Sequence, residues 1–393
     1  MLQVQVLRDD TKRVIEGLAK RNLKDAEELV NQAIENDKQR RKTQLDLDEL
    51  KAKSNANSKK IGELIKDKKT DEANDLKNQV TQAKDQIKTW EENLLAFEKK
   101  LQDILYKIPN VPHEKVPAGK SPEDNKNVHQ HGTPPTLYAG ALPHWELIKK
   151  YDIIDFDLGV KISSAGFPVY KGKGAKLQRA LINFFLAEAE KAEYIEIQPP
   201  IVVNEASGYG TGQLPDKEGQ MYFVNEDGLY LIPTAEVPIT GAHVRGLNRL
   251  HQFDKVEVVQ ITQPENSYQV LDEMCDHVQG LLEKLELPYR KLLLCGGDMG
   301  FNSAMTYDFE VFSAAQQRWL EVSSVSNFET FQANRLKLRY KNREGKTQLL
   351  HTLNGSALAL PRIVAAILEN NQTEVGIKIP EALRKYTGFD WIN

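Results

Sequence analysis

Residues 70–108 read TDEANDLKNQVTQAKDQIKTWEENLLAFEKKLQDILYKI, and their apolar side chains recur at alternating intervals of three and four residues. This spacing keeps one apolar stripe on a helix and packs it against a partner helix in a left-handed coiled coil. The stripe consists of Ala73, Leu76, Val80, Ala83, Ile87, Trp90, Leu94, Phe97, Leu101, Ile104 and Ile108. The stretch therefore predicts one long helix that packs against a second.

The partner helix is predicted over roughly 27–66, where the composition is helical but the apolar pattern is ragged. Residues 67–70, DKKT, form a short polar turn between the two segments. Because a short turn between long helices makes them antiparallel neighbours, we expect a helical hairpin. At about 1.5 Å per residue, helices of ~38 residues would give an arm about 55–60 Å long.

The far end of this hairpin, residues 51–69, is strongly basic. It carries seven lysines against one glutamate and one aspartate. The net charge of +5 fits contact with a polyanion, whose phosphates attract clustered lysines. A solvated lysine-rich face without a partner fits the same pattern equally well.

Overall composition excludes several classes of protein. Lys and Arg total 52 against 56 Asp and Glu, so the net charge of −4 excludes a uniformly basic nucleic-acid binder. The cysteines, Cys275 and Cys295, have no spacing typical of a disulfide framework or a zinc site. No apolar run approaches the ~18 residues that span a bilayer, and the first residues do not resemble a signal peptide. We therefore expect a soluble, intracellular protein with no membrane partner.

The second part of the chain alternates predicted helices and strands. Six prolines mark residues 109–135 as a linker. Helices are predicted over 172–191, 267–286 and 356–370, and strands over 194–203, 221–233, 253–262, 289–295, 306–313 and 317–325. Because the strands mostly follow one another without regular βαβ repetition, the pattern favours an α+β fold with an antiparallel sheet flanked by helices.

Five sequence strings identify a family. They are GTGQLP (210–215), LIPTAEVP (231–238), HQFDKVE (251–257), WLEVSSVSNF (319–328) and HTLNGSALALPR (351–362). Their order and spacing resemble those of the seryl-tRNA synthetases, which are class II aminoacyl-tRNA synthetases. The resemblance covers essentially the whole chain. It implies a coiled-coil tRNA-binding arm over 1–110 and a class II catalytic core with a dimer interface over 111–393.

The resemblance assigns residues to ATP. Arg362 matches the motif 3 arginine, and Glu321, Val322, Ser323 and Ser324 match ATP-contacting positions, with Glu321 and Arg362 expected to be catalytic. Glu321 and Ser324 are expected to hold Mg²⁺, a cation that prefers oxygen ligands. Since these two positions face opposite sides of a regular strand, the assignment requires a bulge or a strand end. A surface arginine and an edge-strand glutamate are the alternatives.

Serine and tRNA contacts follow in the same way. The resemblance places Thr234 and Glu236 at the serine ammonium, and Glu257 and Ser356 near the carboxyl or hydroxyl end of serine. It counts Ala235 among the serine-binding residues as well. Each glutamate could instead cap a turn or form a surface ion pair. The lysines expected to contact the serine tRNA are Lys51, Lys53, Lys59 and Lys60.

The resemblance also implies a cytoplasmic homodimer that uses ATP and Mg²⁺ and binds no DNA. The string YIEIQPP, residues 194–200, resembles motif 1, which forms the dimer interface of class II synthetases. A strand end without a partner is the alternative interpretation of this string.

One element of the family is missing. Class II motif 2 begins with a strand that ends in F-R-x-E, and this chain contains no such string. Only Gly241, Ala242 and His243 stand between the family pattern at Thr240 and its resumption at Val244. Three explanations are open: residues omitted at this point, a deliberate deletion, or a natural loss in a weakened paralogue. We favour the first, which predicts a physical break of the chain between Thr240 and Val244.

These observations leave three hypotheses for the function. The first is ATP-dependent charging of the serine tRNA through seryl-adenylate. The second is a catalytically impaired paralogue that binds tRNA or protein. The third, a coiled-coil scaffold with an unrelated head, conflicts with the strings at 319–328 and 351–362. Only the missing motif 2 strand separates the first hypothesis from the second.

Overall fold

The computed structural model describes residues 1–215, 221–232, 246–248 and 250–393. The chain divides into two compact units. The N-terminal unit contains residues 1–19 and 23–109, and the C-terminal unit contains residues 20–22 and 110–393.

The N-terminal unit is helical, and its main feature is an antiparallel hairpin. Its helices are α1 (Val4–Asp9), α2 (Thr11–Ala19), α3 (Ala26–Lys66) and α4 (Thr70–Leu105). Helices α3 and α4 contain 41 and 36 residues and meet at the polar turn that the sequence predicts. The predicted hairpin is therefore confirmed, although α4 ends three residues before Ile108, the last residue of the predicted stripe.

The apolar stripe of α4 faces α3. All eleven residues of the stripe are buried or half-buried, whereas most other positions of α4 are exposed. On α3 the same interface contains polar side chains, which explains why its sequence pattern is ragged. Asn36 Nδ2 donates to the carbonyl oxygen of Phe97 at 2.8 Å, so a side-chain hydrogen bond joins the two helices at this position.

Asp37 is a buried charged group of α3 and therefore requires hydrogen-bond partners inside the protein. Its side chain is fully buried, and its carboxylate accepts hydrogen bonds from Arg8 at 2.8 Å, Arg40 at 3.0 Å and Arg41 at 2.9 Å. Burial works against ionisation, but the arginine hydrogen bonds outweigh it and lower the pKa of Asp37. This cluster ties α1 to α3 within the N-terminal unit.

Within the described residues, the C-terminal unit is built on a six-stranded antiparallel sheet. Its strands are β1 (Lys126–His131), β7 (Lys255–Thr262), β8 (Tyr289–Leu293), β9 (Met305–Ser313), β10 (Arg318–Asn327) and β13 (His351–Ala359). Their order in the sheet is β1-β8-β9-β10-β13-β7. The α+β class with an antiparallel core, expected from the sequence, is confirmed.

Smaller sheets and helices complete this unit. The other strands are β2 (Ile154–Asp155), β3 (Val169–Tyr170), β4 (Val202–Val203), β5 (Phe223–Val224), β6 (Leu229–Leu231), β11 (Arg339–Lys341), β12 (Thr347–Leu349), β14 (Gln372–Thr373), β15 (Gly376–Lys378) and β16 (Trp391–Ile392). The helices are α5 (His144–Lys150), α6 (Phe156–Ile162), α7 (Gly172–Lys191), α8 (Glu205–Thr211), α9 (Ser267–Lys284), α10 (Thr330–Leu336), α11 (Leu360–Asn370) and α12 (Glu381–Thr387).

Helices α9 and α11 pack on the sheet and form much of the core. Helix α9 buries Leu271, Met274 and Val278, which recur at the intervals of one helix face. Helix α11 is buried along nearly its whole length, so its first turn and its last turn are both fixed against the sheet. Within the described ranges, no helix is both long enough and apolar enough to cross a membrane.

Residues 20–22 belong to the C-terminal unit through Arg21. Its guanidinium donates to the carbonyls of Asn110 at 2.7 Å, Met299 at 3.2 Å and Gly300 at 3.1 Å, and also to the carbonyl of Ser303. Burial lowers the pKa of Arg21 to about 10. All four acceptors are neutral carbonyls, so they bind the guanidinium without pairing its charge with a carboxylate.

Four predicted segments differ from the structure. The single strand predicted over 221–233 is, in its described residues, a hairpin of two short strands, β5 and β6. Only Val202 and Val203 of the predicted strand 194–203 are in a strand, because residues 194–200 pair with no strand in the described part of the chain. Residues 356–359 continue β13 and precede α11, so the helix predicted from 356 begins at Leu360. The predicted linker contains β1, which pairs with β8.

The Asp37 cluster gives the first prediction. Replacing Asp37 by Asn should destabilise the protein by about 2–4 kcal/mol at neutral pH, because three arginines lose their buried carboxylate. Since the folded-state pKa of Asp37 lies below the unfolded value, its stabilisation is present at neutral pH and is lost as the pH falls through the folded-state pKa. Urea unfolding followed by circular dichroism at neutral and acidic pH measures both effects.

Glu35→Gln is the matched control, since Glu35 lies on the same helix and is exposed. This variant should unfold like the wild type. Equal unfolding curves for Asp37→Asn and Glu35→Gln would contradict the role given to Asp37.

Candidate functional site

A β-bulge in β10 brings the predicted metal-binding side chains to one face. The register with β9 shifts between Glu321 and Ser323, so that Glu321 lies opposite Glu310 and Ser324 lies opposite Asp308. Glu310 and Asp308 are two residues apart and share a face of β9, and therefore Glu321 and Ser324 share the corresponding face of β10. The bulge that the sequence assignment required is present.

The first turn of α11 places Arg362 beside Glu321. Arg362 Nη1 donates to the carbonyl oxygen of Glu321 at 2.6 Å and lies 3.7 Å from Glu321 Oε1. Arg362 Nε is 3.4 Å from the carbonyl oxygen of Asn248. The guanidinium is about a quarter exposed and the Glu321 side chain about half exposed, so both groups remain accessible to a ligand.

Val322 and Ser323 follow Glu321 in β10 and are both buried. The Val322 side chain is fully buried in the core, which leaves only its backbone for the predicted contact with ATP. Ser323 Oγ donates to the carbonyl oxygen of Ser356 at 2.6 Å. This bond links β10 to β13 next to the ATP-assigned residues.

The predicted serine-contacting residues of the next strands are neighbours. Ser356 of β13 lies directly opposite Glu257 of β7 in the antiparallel register. Glu257 Oε2 is 3.0 Å from Nζ of Lys255. The sheet therefore brings Glu257 and Ser356 together, and it adds the half-buried Lys255, which the sequence analysis did not select.

Glu257 is in an environment that opposes its charge. Burial raises the pKa of Glu257, and the lowering effects of Lys255 and Ser356 do not fully offset it. A buried carboxyl group of this kind binds a polar ligand without first losing a full shell of water. It is suited to a small ligand with hydroxyl or ammonium donors.

The structure contains two of the oxygen ligands predicted for Mg²⁺ but no complete protein cage. Within the described residues, no group of three or more His, Cys, Asp or Glu side chains is arranged to hold a metal ion. Ser324 Oγ donates to Asp308 Oδ1 at 2.6 Å. Mg²⁺ commonly takes one or two protein oxygens and completes its shell with phosphates and water, and Glu321 with Ser324 fits that pattern.

Several predicted positions lie outside the described residues. They include Thr234, Ala235 and Glu236, which the sequence analysis assigns to serine. The predicted chain break between Thr240 and Val244 also lies outside them. Among the described residues, β7 is the last strand of the sheet and pairs only with β13.

The predicted tRNA-binding lysines lie on α3, within the N-terminal unit. Lys53, Lys59 and Lys60 are exposed. Lys51 instead pairs with Glu91 of α4 at 2.6 Å and is less than half exposed. Three of the four lysines are thus available to an external anion, and the fourth also holds the hairpin together.

The site contains residues that sequence reasoning missed. Lys255 stands two residues before Glu257 on the same strand, so period-two alternation would have placed both on one face. Asn248, which reaches Arg362 through its carbonyl, gave no signal because the contact spans 114 residues of sequence.

Comparison with known families agrees with this geometry. Residues 1–112 match the seryl-tRNA synthetase N-terminal domain, and residues 236–371 match the tRNA synthetase class II core domain (G, H, P, S and T).

Similar proteins match over nearly their whole length. Serine--tRNA ligase of Salinibacter ruber is 44% identical over 422 residues, covering 99% of this chain and 98% of that protein. Serine--tRNA ligase of Methylacidiphilum infernorum is 43% identical over 419 residues, covering 98% of this chain and 99% of that protein. Since both alignments are longer than the 393 residues of this chain, each relative contains positions with no counterpart here.

Solved structures match as well. Seryl-tRNA synthetase from Pyrococcus horikoshii, complexed with ATP, superimposes with a TM-score of 0.92 at 28% identity and covers 100% of this chain and 99% of its own. Cytoplasmic serine-tRNA ligase from Naegleria fowleri, in complex with AMP, gives a TM-score of 0.86 at 25% identity, with the same coverage. The chain belongs to the seryl-tRNA synthetase family.

Proposed function

We propose that this protein is a serine--tRNA ligase, which activates serine with ATP and transfers it to the 3′ end of the serine tRNA. The observation that carries the proposal is the placement of Arg362 beside Glu321 of β10, with Ser356 on the neighbouring strand β13 and Glu257 opposite it on β7. Helix α11 thus places a cationic group at the same sheet that carries the buried carboxyl group of Glu257. The full-length similarity to serine--tRNA ligases supports the same activity.

The proposed chemistry has two steps. A carboxylate oxygen of serine attacks the α-phosphorus of ATP, and pyrophosphate leaves to give seryl-adenylate. A ribose hydroxyl at the tRNA 3′ end then attacks the carbonyl carbon of serine, and AMP leaves. Neither step needs a covalent enzyme nucleophile, so the protein contributes positioning and charge stabilisation.

Each group has a proposed role at the ATP end. Arg362 neutralises negative charge on the phosphates, since a planar guanidinium fits phosphate oxygens. Glu321 and Ser324 would hold Mg²⁺, which supplies further neutralisation of the phosphates when bound. Val322 and Ser323 shape the strand that faces ATP, Val322 through its backbone and Ser323 through its bond to Ser356.

The proposed serine site combines Glu257 and Ser356 of the sheet with residues 234–236. Glu257 and Ser356 read the hydroxyl or carboxyl end, and residues 234–236 receive the ammonium group. A pocket built to hydrogen-bond a hydroxyl rejects alanine strongly, because the smaller ligand would leave buried polar groups without partners.

We further propose a cytoplasmic homodimer in which residues 1–110 bind tRNA and residues 111–393 catalyse the reaction. Ile195, Ile197 and Ile201 support the dimer, since they are 86%, 77% and 68% exposed in a single chain. Exposed apolar side chains so close together are typical of a surface that a partner covers. They lie on or next to the string that resembles motif 1.

A second candidate function follows from the missing motif 2 strand. The sequence has no F-R-x-E arginine, and among the described residues β7 lies at the edge of the sheet. A paralogue that binds tRNA without activating serine is therefore the alternative. An aminoacylation assay distinguishes the ligase from the paralogue. The purified protein with ATP, Mg²⁺ and labelled serine should load acid-precipitable serine onto serine tRNA, and labelled alanine should not be loaded. Binding of tRNA without any charging would establish the paralogue instead.

The arm lysines give a separate prediction. The triple variant Lys53→Glu, Lys59→Glu and Lys60→Glu should weaken tRNA binding at least tenfold and reduce its salt dependence, because fewer phosphate contacts release fewer counterions. Serine activation without tRNA should not change. Filter binding at several salt concentrations measures the effect.

The matched control is Lys99→Glu with Lys100→Glu, two exposed lysines of α4 outside the basic segment 51–69. The control should bind tRNA like the wild type. If the control and the triple variant weakened binding equally, the basic segment would have no specific role.

The raised pKa of Glu257 gives a pH prediction. If ionised Glu257 accepts hydrogen bonds from serine, serine affinity should fall with decreasing pH, starting above the pH at which an ordinary glutamate titrates. Glu257→Gln should weaken serine binding about 10- to 100-fold at neutral pH and remove this pH dependence. Calorimetric titration with serine across the pH range measures both.

Glu374→Gln removes an exposed glutamate between β14 and β15 and serves as the control. It should retain the wild-type pH profile. A Glu257→Gln protein with unchanged serine affinity would remove Glu257 from the serine site.

A further inference from the structure

A buried carboxylate at the end of α11 organises a network that no part of the proposed chemistry uses. Glu369 and His144 are both fully buried. Glu369 Oε1 accepts from the backbone N–H of His144 at 2.9 Å, from His144 Nδ1 at 2.7 Å and from Gln316 Nε2 at 2.9 Å. Glu369 Oε2 accepts from the hydroxyl of Ser313. Burial opposes its ionisation, but the hydrogen bonds from His144 and Ser313 lower the pKa of Glu369.

The first branch of this network runs through the imidazole ring. His144 Nε2 accepts the backbone N–H of Leu247 at 3.0 Å, so the proton of the neutral ring is on Nδ1, where it donates to Glu369. The ring therefore links the buried carboxylate to the segment Gly246–Asn248. Gly246 has a φ of +69°, and a Cβ there would lie 2.3 Å from His144 Nε2.

The second branch runs through Gln316 to the same segment. Gln316 Oε1 accepts from Asn248 Nδ2 at 3.1 Å while its Nε2 donates to Glu369. Asn248 and Leu247 are thus each tied to Glu369 through one intermediate side chain. The carbonyl of Asn248 is one of the two backbone oxygens that the Arg362 guanidinium faces, and Glu321 supplies the other.

We propose that Glu369, acting through His144 and Gln316, fixes the segment Gly246–Asn248 and so sets the position of the Arg362 guanidinium for ATP. The three residues are positioning residues and touch no substrate. This inference rests on the proposed function, because it takes Arg362 as the ATP-binding cation. One helix then carries the arginine at its beginning and the group that aligns it at its end.

The alternative is that the network only satisfies a buried charge. Ser313 and the backbone and ring N–H groups of His144 already satisfy that requirement. The bonds that continue to Leu247 and Asn248 add nothing to the solvation of Glu369. They determine where the Asn248 carbonyl stands, and that is the group next to Arg362.

The test uses Gly246→Ala, which separates the segment from His144 Nε2 while leaving the buried network in place. We expect the Kd and KM for ATP to rise about tenfold, the loss of one well-placed hydrogen bond, and the Kd for serine to change less than twofold. His144→Leu should act in the same direction. His144→Gln, which restores an acceptor near the Nε2 position, should recover part of the loss.

Gly280→Ala is the matched control, because Gly280 lies in α9 with nothing within 4 Å of an added Cβ. It should bind ATP like the wild type, and Arg362→Ala sets the scale of complete loss. Unchanged ATP affinity in a folded Gly246→Ala protein would overturn the inference alone. So would an equal loss of serine and ATP affinity together with lowered thermal stability. A wild-type protein that binds no ATP would overturn the proposed function and the inference with it.

Discussion

The antiparallel ladder of β10, β13 and β7 is the constraint on which the rest of the site depends. Because each strand is hydrogen-bonded to the next, the register fixes Ser356 opposite Glu257, and the bulge in β10 turns Glu321 and Ser324 to one face. Helix α11 follows β13 without a loop, so its first turn delivers Arg362 to the same place. Backbone hydrogen bonds of the sheet therefore fix the positions of Glu257, Glu321 and Arg362, although these residues lie far apart in sequence.

The edge of this ladder follows the point at which the sequence lacks the F-R-x-E string of motif 2. In the described residues, β7 pairs on one side only, and Val259 and Ile261 are more than half exposed. An edge strand keeps free hydrogen-bonding groups that water or another element must satisfy. The site residues on β10, β13 and α11 retain their contacts, which is consistent with an intact nucleotide end. The serine end adjoins the edge strand and is therefore where the loss would act.

Sequence reasoning succeeded where the physical signal is local. The three–four spacing of Ala73 to Ile108 required a partner helix, and the hairpin is present. The segment 194–200 misled because its alternating isoleucines indicate a strand, yet a strand needs a hydrogen-bonded neighbour that this chain does not provide within the described residues. At 356–359 the small residues gave no periodicity by which to distinguish strand from helix.

The same limit applies to the site. The string WLEVSSVSNF was enough to predict Glu321 and Ser324 as site residues. The alternation of side chains along a strand was enough to predict the bulge between them. The contacts of Glu369 with His144 span 225 residues of sequence, and those of Asn248 with Gln316 span 68. No local pattern predicts such pairs, because they arise only when helix α11 packs beside the sheet. Buried polar networks of this kind become visible only in the folded protein.

The central claim is that the sheet that places Arg362 beside Glu321 forms seryl-adenylate from ATP and serine. Native mass spectrometry of the protein incubated with ATP, Mg²⁺ and serine, without tRNA, tests it most directly. The account predicts a complex whose added mass equals seryl-adenylate, which appears with serine and not with alanine. A protein that carries only ATP under these conditions would contradict the account.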